Sequence, residues 1–559
     1  MKMWSDQLVD EISVENMFQT LHVFKSLHRY SGTEHGEQAA KYLLDKLAEY
    51  GVLTQPQTYQ LYRSLPSGGS LEVQAADGVH TYEVMPAVFS GNLVKEPLQL
   101  VYVDVEKEDL SETLRACSGK AILIDHGADG LLDLASQLGV RAIIRIWKED
   151  AIHHATIGTN WGTPGMRDAE RYYSLGYAEI PLENGKALKK LLLDAPEGLA
   201  AVLSCGVDRK VVTSTMPVAY VPGKTDSFIL VSGHYDSWYE GITDNGAANA
   251  IMLEMARIMQ QHHAELERGI LFAWWSGHSD ARYAGSTWFC DNHWQQLKEH
   301  CVAHINIDIA GCKGSDMIVP RSTMTEGKEF CRSLIHEFTD EDPITYFPMY
   351  HAADQSFWGT DVPIHIMYCY ENKDRFVNDM CAMPSYAWWH TPADGIDKAD
   401  EHVVWRDCAI NLKTTAELAQ PKPLSINYQD FFDETKSWLD KIDAMLPDEL
   451  KLADVQTAFR LLQETVESQS AQMQSDRAAK QIAGRLNQIV YAYCAAYEHD
   501  DAVESFVFPR LYDAAEALCK SDCAKKSLCA RTDVIRQKNR LLGALQELQF
   551  TLDHKLYEL

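Results

Sequence analysis

A histidine and two aspartates lie close together in residues 231–246, where an apolar strand gives way to a helix. His234 comes at the end of the apolar run 228–231, and Asp236 and Asp244 follow in the loop. Neutral imidazole and carboxylate are ordinary ligands of Zn²⁺, and the carboxyl ends of strands are where α/β sheets build their sites. A polar loop with a hydrogen-bonded histidine would look the same, so the interpretation needs partners elsewhere in the chain.

Two such partners lie further along the chain. Asp308 ends the apolar run 302–308, and His390 follows a tryptophan pair. Asp244 stands just before a helix, and a carboxylate there can bridge two cations through its two oxygens. Asp236, two residues after His234, shares its face if the strand continues. It therefore suits a group that orients the imidazole.

The composition bounds the class of protein. The chain has 559 residues, of which 46% are hydrophobic and 23% charged, and its formal charge is −29. That length predicts several domains, and the composition is that of a folded soluble protein. The negative charge disfavours nucleic acid and anionic membrane as partners, since both attract clustered lysine and arginine.

Targeting and redox signals predict a cytoplasmic protein. No stretch reaches the roughly 18 uninterrupted apolar residues of a membrane span, and the first residues show no signal-peptide pattern. The 13 cysteines are scattered, which indicates reduced thiols rather than a disulfide framework.

Changes in pattern divide the chain into four parts. Residues 1–53 read as helical, and residues 54–220 as a β-rich inserted domain. Residues 221–420 alternate strands and helices, and residues 421–559 are almost wholly helical. Near-continuous apolar strands with intervening helices predict the α/β class, with a mostly parallel mixed sheet flanked by helices.

Five short motifs resemble those of the M28 zinc peptidases, in the same order and at the same intervals: His234-Tyr-Asp236, Thr243-Asp-Asn-Gly246, Ala284-Gly-Ser286, Asn306-Ile-Asp308 and His390-Thr-Pro392. The resemblance extends to the flanking parts. Residues 54–220 stand where some members carry a protease-associated domain. The helical C-terminal part stands where the glutamate carboxypeptidase and transferrin-receptor branch carries a dimerisation domain, which implies a homodimer.

The resemblance also implies a ligand set and a reaction. One zinc would be held by His234, Asp244 and Asp308, and a second by Asp244, His390 and a further carboxylate, with Asp236 as the supporting acid. A metal-bound hydroxide would attack the carbonyl of a short peptide. The implied activity is that of an exopeptidase, more an aminopeptidase than a carboxypeptidase, using one or two Zn²⁺ ions.

One wall of the expected site departs from the family pattern. The family places two adjacent glutamates, a base and a metal ligand, after the tryptophan-rich strand, but residues 276–286 contain no glutamate. Counted forward from the tryptophans, His278 stands at the base position and is the candidate proton acceptor, whereas counting back from Gly285-Ser286 puts Ser279 and Asp280 at the two positions. His278 or Asp280 could instead complete the second metal site, and Glu240 is another candidate for the missing carboxylate. Two hypotheses remain: an active variant peptidase, or a non-catalytic relative that acts as a binding or scaffold protein.

Two further residues are candidates for substrate binding. Arg282 could bind a substrate carboxylate or pair with an acid in the core. Tyr370 could wall the site, although aromatic residues near strands more often belong to the core.

Overall fold

The computed structural model describes residues 4–106, 109–127, 130–323, 325, 328–339, 347–349, 351, 353–376, 385–499, 507–521 and 523–558. Within these ranges, no helix combines the length and the apolar character that crossing a membrane requires.

The described residues contain fifteen strands, which are β1 (Leu53–Thr54), β2 (Gln57–Ala75), β3 (Gly78–Pro86), β4 (Leu93–Tyr102), β5 (Ala121–Ile124), β6 (Ala142–Ile146), β7 (Gly176–Ile180), β8 (Leu199–Met216), β9 (Val218–Val221), β10 (Phe228–His234), β11 (Gly269–Trp275), β12 (Cys301–Asn306), β13 (Met317–Ser322), β14 (Phe347–Pro348) and β15 (His365–Glu371).

They also contain seventeen α-helices, which are α1 (Trp4–Val9), α2 (Val14–Phe24), α3 (Glu34–Glu49), α4 (Leu110–Ala116), α5 (Leu131–Gln137), α6 (Leu182–Leu193), α7 (Ala247–Gln261), α8 (Ala284–Asn292), α9 (Trp294–His300), α10 (Lys328–His336), α11 (Glu401–Ala419), α12 (Tyr428–Met445), α13 (Ala453–Gln469), α14 (Asp476–Ala479), α15 (Arg485–Tyr491), α16 (Pro509–Cys519) and α17 (Ala524–Asp553).

An eight-stranded mixed sheet forms the centre of the molecule, in the order β1-β9-β11-β10-β12-β15-β13-β14. Its four middle strands, β11, β10, β12 and β15, run parallel, and antiparallel pairs flank them. Successive side chains of a strand point to opposite faces, so Ile229 packs in the cluster with α2, α7 and α11. Leu230 packs on the other face with residues of α8 and α9. The α/β class expected from the sequence is confirmed.

Residues 57–216 form a separate closed barrel, in the strand order β2-β3-β7-β6-β5-β4-β8, with β4 to β7 parallel. The flanking strands β1 and β9 pair with each other in the central sheet, Leu53 opposite Tyr220 and Thr54 opposite Ala219. The barrel is thus inserted between two neighbouring strands of that sheet. Its ends fall slightly inside the 54–220 segment that the sequence outlined.

The C-terminal helices share a hydrophobic cluster with Trp358 and Met367 of the sheet domain, and a buried lysine adds polar contacts to that domain. The cluster combines residues of α12, α13, α15, α16 and α17. Lys480 is buried, and its ammonium group donates to four main-chain carbonyls of the sheet domain, those of Leu297, Cys301, Thr360 and Asp361. Because these carbonyls are remote from α14 and α15 in the chain, the contact joins two domains.

Replacing this lysine should loosen the contact between the domains. Lys480→Met removes the ammonium that these carbonyls share, and we expect a loss of about 2–4 kcal/mol in the free energy of unfolding. Denaturant unfolding followed by circular dichroism measures the change. Lys555→Met is the matched control, because that side chain is 48% exposed. Equal stability of the two variants would contradict the anchoring role.

Candidate metal centre

The candidate ligands gather at the carboxyl edge of the parallel strands. His234 is the last residue of β10, and Asp308 lies two residues beyond β12, which pairs with β10 in parallel. Asp244 lies in the turn that leads into α7, and His390 reaches the same edge from the segment after β15. Three of the four side chains, His234, Asp244 and Asp308, are at least 94% buried. The four residues are spread over more than 150 positions of the sequence, and the sheet brings them together.

Asp244 is shared between the two histidines. Its Oδ1 lies 3.1 Å from Nε2 of His234, and its Oδ2 lies 3.0 Å from Nε2 of His390. On the other side of His234, Oδ1 of Asp308 lies 3.2 Å from the same Nε2. One carboxylate therefore faces two imidazoles with its two oxygens, which is the bridging arrangement that two neighbouring cations need.

The donor set fits a divalent zinc ion. Nε2 of His234 and Oδ1 of Asp308 are buried and make no aligned hydrogen bond. Ligand bonds of about 2.0 Å in a tetrahedron place the donor atoms about 3.3 Å apart, close to the distances of 3.1 and 3.2 Å around that nitrogen. Donor atoms of His234, His278 and Asp308 all lie within 4.8 Å of one another and could hold one ion, while Asp244 lies between His234 and His390.

The local charges also favour a cation. Burial alone would lower the pKa of His234, but Asp308 and Asp244 raise it well above its ordinary value. Burial would raise the pKa of Asp244, and the two histidines instead hold it well below its usual range. The carboxylates thus stabilise positive charge at the point where their oxygens meet Nε2 of His234.

Asp236 contacts both His234 and the turn at residues 278–279, which lie on opposite sides of the site. Nδ1 of His234 donates to its main-chain carbonyl at 2.8 Å, which leaves Nε2 facing the other ligands. The Asp236 carboxylate accepts the main-chain N–H groups of His278 and Ser279 at 3.2 and 3.0 Å. Its nearer oxygen is 3.7 Å from the imidazole. Asp236 therefore orients His234 through its carbonyl and the 278–279 turn through its carboxylate.

His278 forms the other wall. Its ring stacks on that of His234 with centroids 3.8 Å apart and an interplanar angle of 11°. One of its ring nitrogens lies within 4.8 Å of the ligand atoms of His234 and Asp308. Its Nδ1 donates to Oδ2 of Asp354 at 2.9 Å, and Ser286 donates to the other oxygen. Burial would raise the pKa of Asp354, but His278 and its hydrogen bond lower it, so this carboxylate is ionised.

Asp394 holds the turn that carries Asp244, a role that sequence reasoning missed. Its carboxylate accepts the main-chain N–H groups of Thr243 and Asp244 and the hydroxyl of Thr243, at 2.9–3.2 Å. Burial raises the pKa of Asp394 to about 7. The position of Asp394, four residues after His390, could have indicated a residue of the site. The spacing does not show which main-chain groups its carboxylate binds.

Arg29 is a second residue that the sequence did not reveal. Its fully buried guanidinium donates to the carbonyls of Tyr235, Glu240 and Gly241, and so fixes the loop between His234 and Asp244. Burial lowers the pKa of Arg29 to about 10. Its partners are main-chain atoms about 200 residues away, which leave no pattern in the sequence.

The inserted barrel also contributes to the site. Nδ1 of His390 donates to the main-chain carbonyl of His154 at 2.8 Å, which turns Nε2 of His390 towards Asp244. The ring of His154 stacks on Trp238 at 4.1 Å, and Trp238 meets His390 edge-on. No sequence signal predicted a role for residues 54–220 in the chemistry, because a main-chain carbonyl leaves no pattern in the sequence.

The structure gives two candidate ligands and one candidate substrate-binding residue other surroundings. Asp280 accepts the main-chain N–H of Ser31 at 2.9 Å, and burial together with nearby Asp236 raises its pKa to about 7. Glu240 lies against Gly395, with Oε2 3.5 Å from the position of a Cβ there. Tyr370 is 2% exposed and receives a hydrogen bond from Asn411, so it belongs to the core. Among the described residues, no carboxylate takes the place of the family's second glutamate.

A mixed α/β domain that gathers two histidines and two aspartates at the carboxyl ends of parallel strands has the architecture of a metallopeptidase. Residues 218–415 match the model of peptidase family M28. The match covers about a third of the chain and agrees with the family that the five motifs resemble.

Curated relatives match over short segments. Aminopeptidase NAALADL1 of Mus musculus is 31% identical over 104 residues, 18% of this chain and 14% of the relative. An aminopeptidase of Pseudomonas aeruginosa is 35% identical over 91 residues, 16% of each chain. A glutamate carboxypeptidase 2 homolog of Caenorhabditis elegans is 31% identical over 97 residues, 16% of this chain and 12% of the relative. The alignments thus cover no more than about a sixth of these relatives.

Solved structures share the fold. The aminopeptidase from Aneurinibacillus sp. strain AM-1 superposes with a TM-score of 0.59 at 20% identity, over 76% of this chain and 98% of that one. A zinc aminopeptidase from Bacillus subtilis gives 0.57 at 16% identity, over 73% and 96% of the two chains. At such identities the likeness establishes the fold alone.

Removing the support under Asp244 should weaken metal binding. Asp394→Asn replaces an acceptor of three hydrogen bonds with an amide, and we expect zinc affinity to fall about 10–100-fold, as for other groups that orient ligands. Competition with a chromogenic chelator measures the dissociation constant. Asp397→Asn removes an exposed carboxylate three residues away and should leave the affinity unchanged. Unaltered affinity in Asp394→Asn would contradict the supporting role.

Proposed function

We propose that the protein is a zinc-dependent exopeptidase that removes residues from short peptides, acting as an aminopeptidase rather than a carboxypeptidase. The observation that carries the proposal is the shared carboxylate Asp244, set 3.1 Å from His234 and 3.0 Å from His390. The family assignment supports peptide hydrolysis. Relatives and structural neighbours named as aminopeptidases support the choice of the amino end.

The described side chains divide into holding and positioning groups. His234, Asp244, Asp308 and His390 would hold the metal. When bound, zinc would polarise the peptide carbonyl and lower the pKa of water. The buried edge around Asp244 excludes bulk solvent, which strengthens every electrostatic interaction inside it.

His278 is proposed as the proton acceptor in place of the glutamate that the family pattern places there. Donation from Nδ1 to Asp354 selects the tautomer of the neutral imidazole in which Nε2 is the acceptor that can take a proton from water. Asp354 then stabilises the imidazolium that forms, and Ser286 holds Asp354 in position. The stack on His234 keeps this imidazole beside the metal ligands.

The first test is metal content and metal dependence. Purified protein reconstituted with zinc should retain about one or two equivalents per chain, and should hydrolyse members of a panel of aminoacyl and dipeptide substrates. Treatment with a chelator should abolish hydrolysis, and added zinc should restore it. Retention of less than about 0.2 equivalents after reconstitution would overturn the metalloenzyme proposal.

The second test separates a base from a ligand at His278. His278→Ala should lower kcat by about 10²–10⁴-fold, with zinc content unchanged by atomic absorption. His126→Ala, at an exposed histidine of the barrel, should match the wild type. Zinc lost together with activity would make His278 a ligand instead, and unchanged activity would exclude both roles.

A second candidate function is that of a metal-holding binding or scaffold protein that does not hydrolyse peptides. The observation in its favour is the absence of any glutamate from residues 276–286. Stoichiometric zinc without turnover across the panel would support it over the peptidase.

The homodimer expected through the C-terminal helices stays a prediction. The long helix α17 exposes Leu528, Ile535 and Phe550, at 67%, 47% and 56%. Such apolar side chains on one helix suit an interface between chains.

A further inference from the structure

Arg282 is a half-buried cation that forms no ion pair within the described part of the chain. Its Nη1 donates to the hydroxyl of Tyr283 at 3.1 Å, and its Cζ lies 4.9 Å above the ring of the same tyrosine. Its Nε is buried and has no hydrogen-bond acceptor. The chain carries 80 acidic residues against 51 lysines and arginines, so a lack of acids does not explain this isolation.

Three buried arginines of the protein have compensating partners. Arg268 and Arg406 pair with the adjacent carboxylates of Asp476 and Asp407, and Arg29 donates to three carbonyls. A guanidinium removed from water without an anion is costly, because its charge loses solvation without compensation. Among the described residues Arg282 has no anionic partner, and its unpartnered Nε points to an anion that a ligand brings.

Arg282 stands beside the metal centre. The ring of Tyr283 meets that of His278 edge-on, with centroids 4.9 Å apart, so one aromatic ring separates the guanidinium from the proposed proton acceptor. The carbonyl of Arg282 accepts the main-chain N–H of Gly162 from the barrel. Both domains therefore hold this residue in place.

The backbone at this point is unusual. Arg282 and Tyr283 have φ angles of 51° and 67°, so two consecutive residues with side chains occupy the left-handed region. Each costs free energy that the surroundings must offset, and such residues concentrate at functional sites. The turn places a planar cation and an aromatic ring next to the ligands at this cost.

We propose that Arg282 binds a carboxylate of the peptide substrate. This inference rests on the proposed function and specifies its substrates as short peptides that carry a carboxylate near the scissile bond. The planar guanidinium fork matches a carboxylate with two parallel hydrogen bonds. It also offsets the repulsion that Asp308 and Asp354 would exert on an acidic substrate.

Two carboxylates share this chemistry, the C-terminal group of a dipeptide and the side chain of an acidic residue. The first arm compares Leu-Gly with Leu-Gly amide, and the second compares Leu-Glu amide with Leu-Gln amide. We expect the wild type to favour the acid in one arm by about 10–100-fold in kcat/KM. The arm in which this occurs identifies the source.

The variants test whether Arg282 is responsible. Arg282→Gln should abolish the preference, and Arg282→Lys should retain part of it, since it keeps the charge but loses the planar fork. Arg115→Gln, which removes an exposed charge on α4 of the barrel, should behave as the wild type. Zinc content and melting temperature verify that each variant is folded. Equal kcat/KM for acid and amide in both arms of the wild type, or an undiminished preference in Arg282→Gln, would overturn the inference.

A binding measurement separates this inference from the proposed function. Calorimetric titration of zinc-loaded His278→Ala with the same four peptides reports affinity without relying on turnover. Tighter binding of the acid, lost in His278→Ala/Arg282→Gln, supports the carboxylate site even if no variant hydrolyses a peptide. Hydrolysis by the wild type without discrimination in either measurement would leave the peptidase proposal standing and remove the role of Arg282.

Discussion

The centre depends on the burial of one shared carboxylate. Asp244 faces His234 and His390 with its two oxygens, almost without access to water. A carboxylate in such a place is stable only if positive charge and hydrogen-bond donors compensate its lost solvation. The two imidazoles at its oxygens supply positive charge and donors. Beneath its turn, the Asp394 carboxylate accepts the Asp244 N–H and so fixes the backbone. The need for charge compensation makes this edge of the sheet a place for a divalent cation.

Much of this arrangement could be predicted from the sequence, because strands and ligands leave local patterns. His234 and Asp308 each follow an apolar run, and such runs predict strands whose carboxyl ends meet at one edge. The β-rich segment stood out in the same way, although the pairing of β1 with β9 set its ends at 57 and 216. The α/β class followed from these patterns, and the resemblance of five short motifs suggested the family.

The supporting groups could not be predicted, because they act through main-chain atoms of distant segments. Arg29 binds three carbonyls, Asp394 binds two main-chain N–H groups, and His154 offers only its carbonyl to His390. None of these contacts constrains the residue type at its other end. Asp280 was a candidate ligand because of its position after the tryptophan-rich strand. Its carboxylate instead accepts the main-chain N–H of Ser31, a donor that the N-terminal loop supplies.

The position of the barrel between β1 and β9 has a consequence for how the chain folds. Pairing those two strands requires residues 55–217 to close as a loop, and loop-closure entropy rises with loop length. The barrel itself closes this loop, since its first and last strands pair with each other from Gln57 opposite Met216 onwards. Once they have paired, the two ends of the insertion are adjacent, and the edge of the sheet forms as if its strands were joined by a short connection. A folding order in which the barrel forms before that edge therefore has the lower entropic barrier.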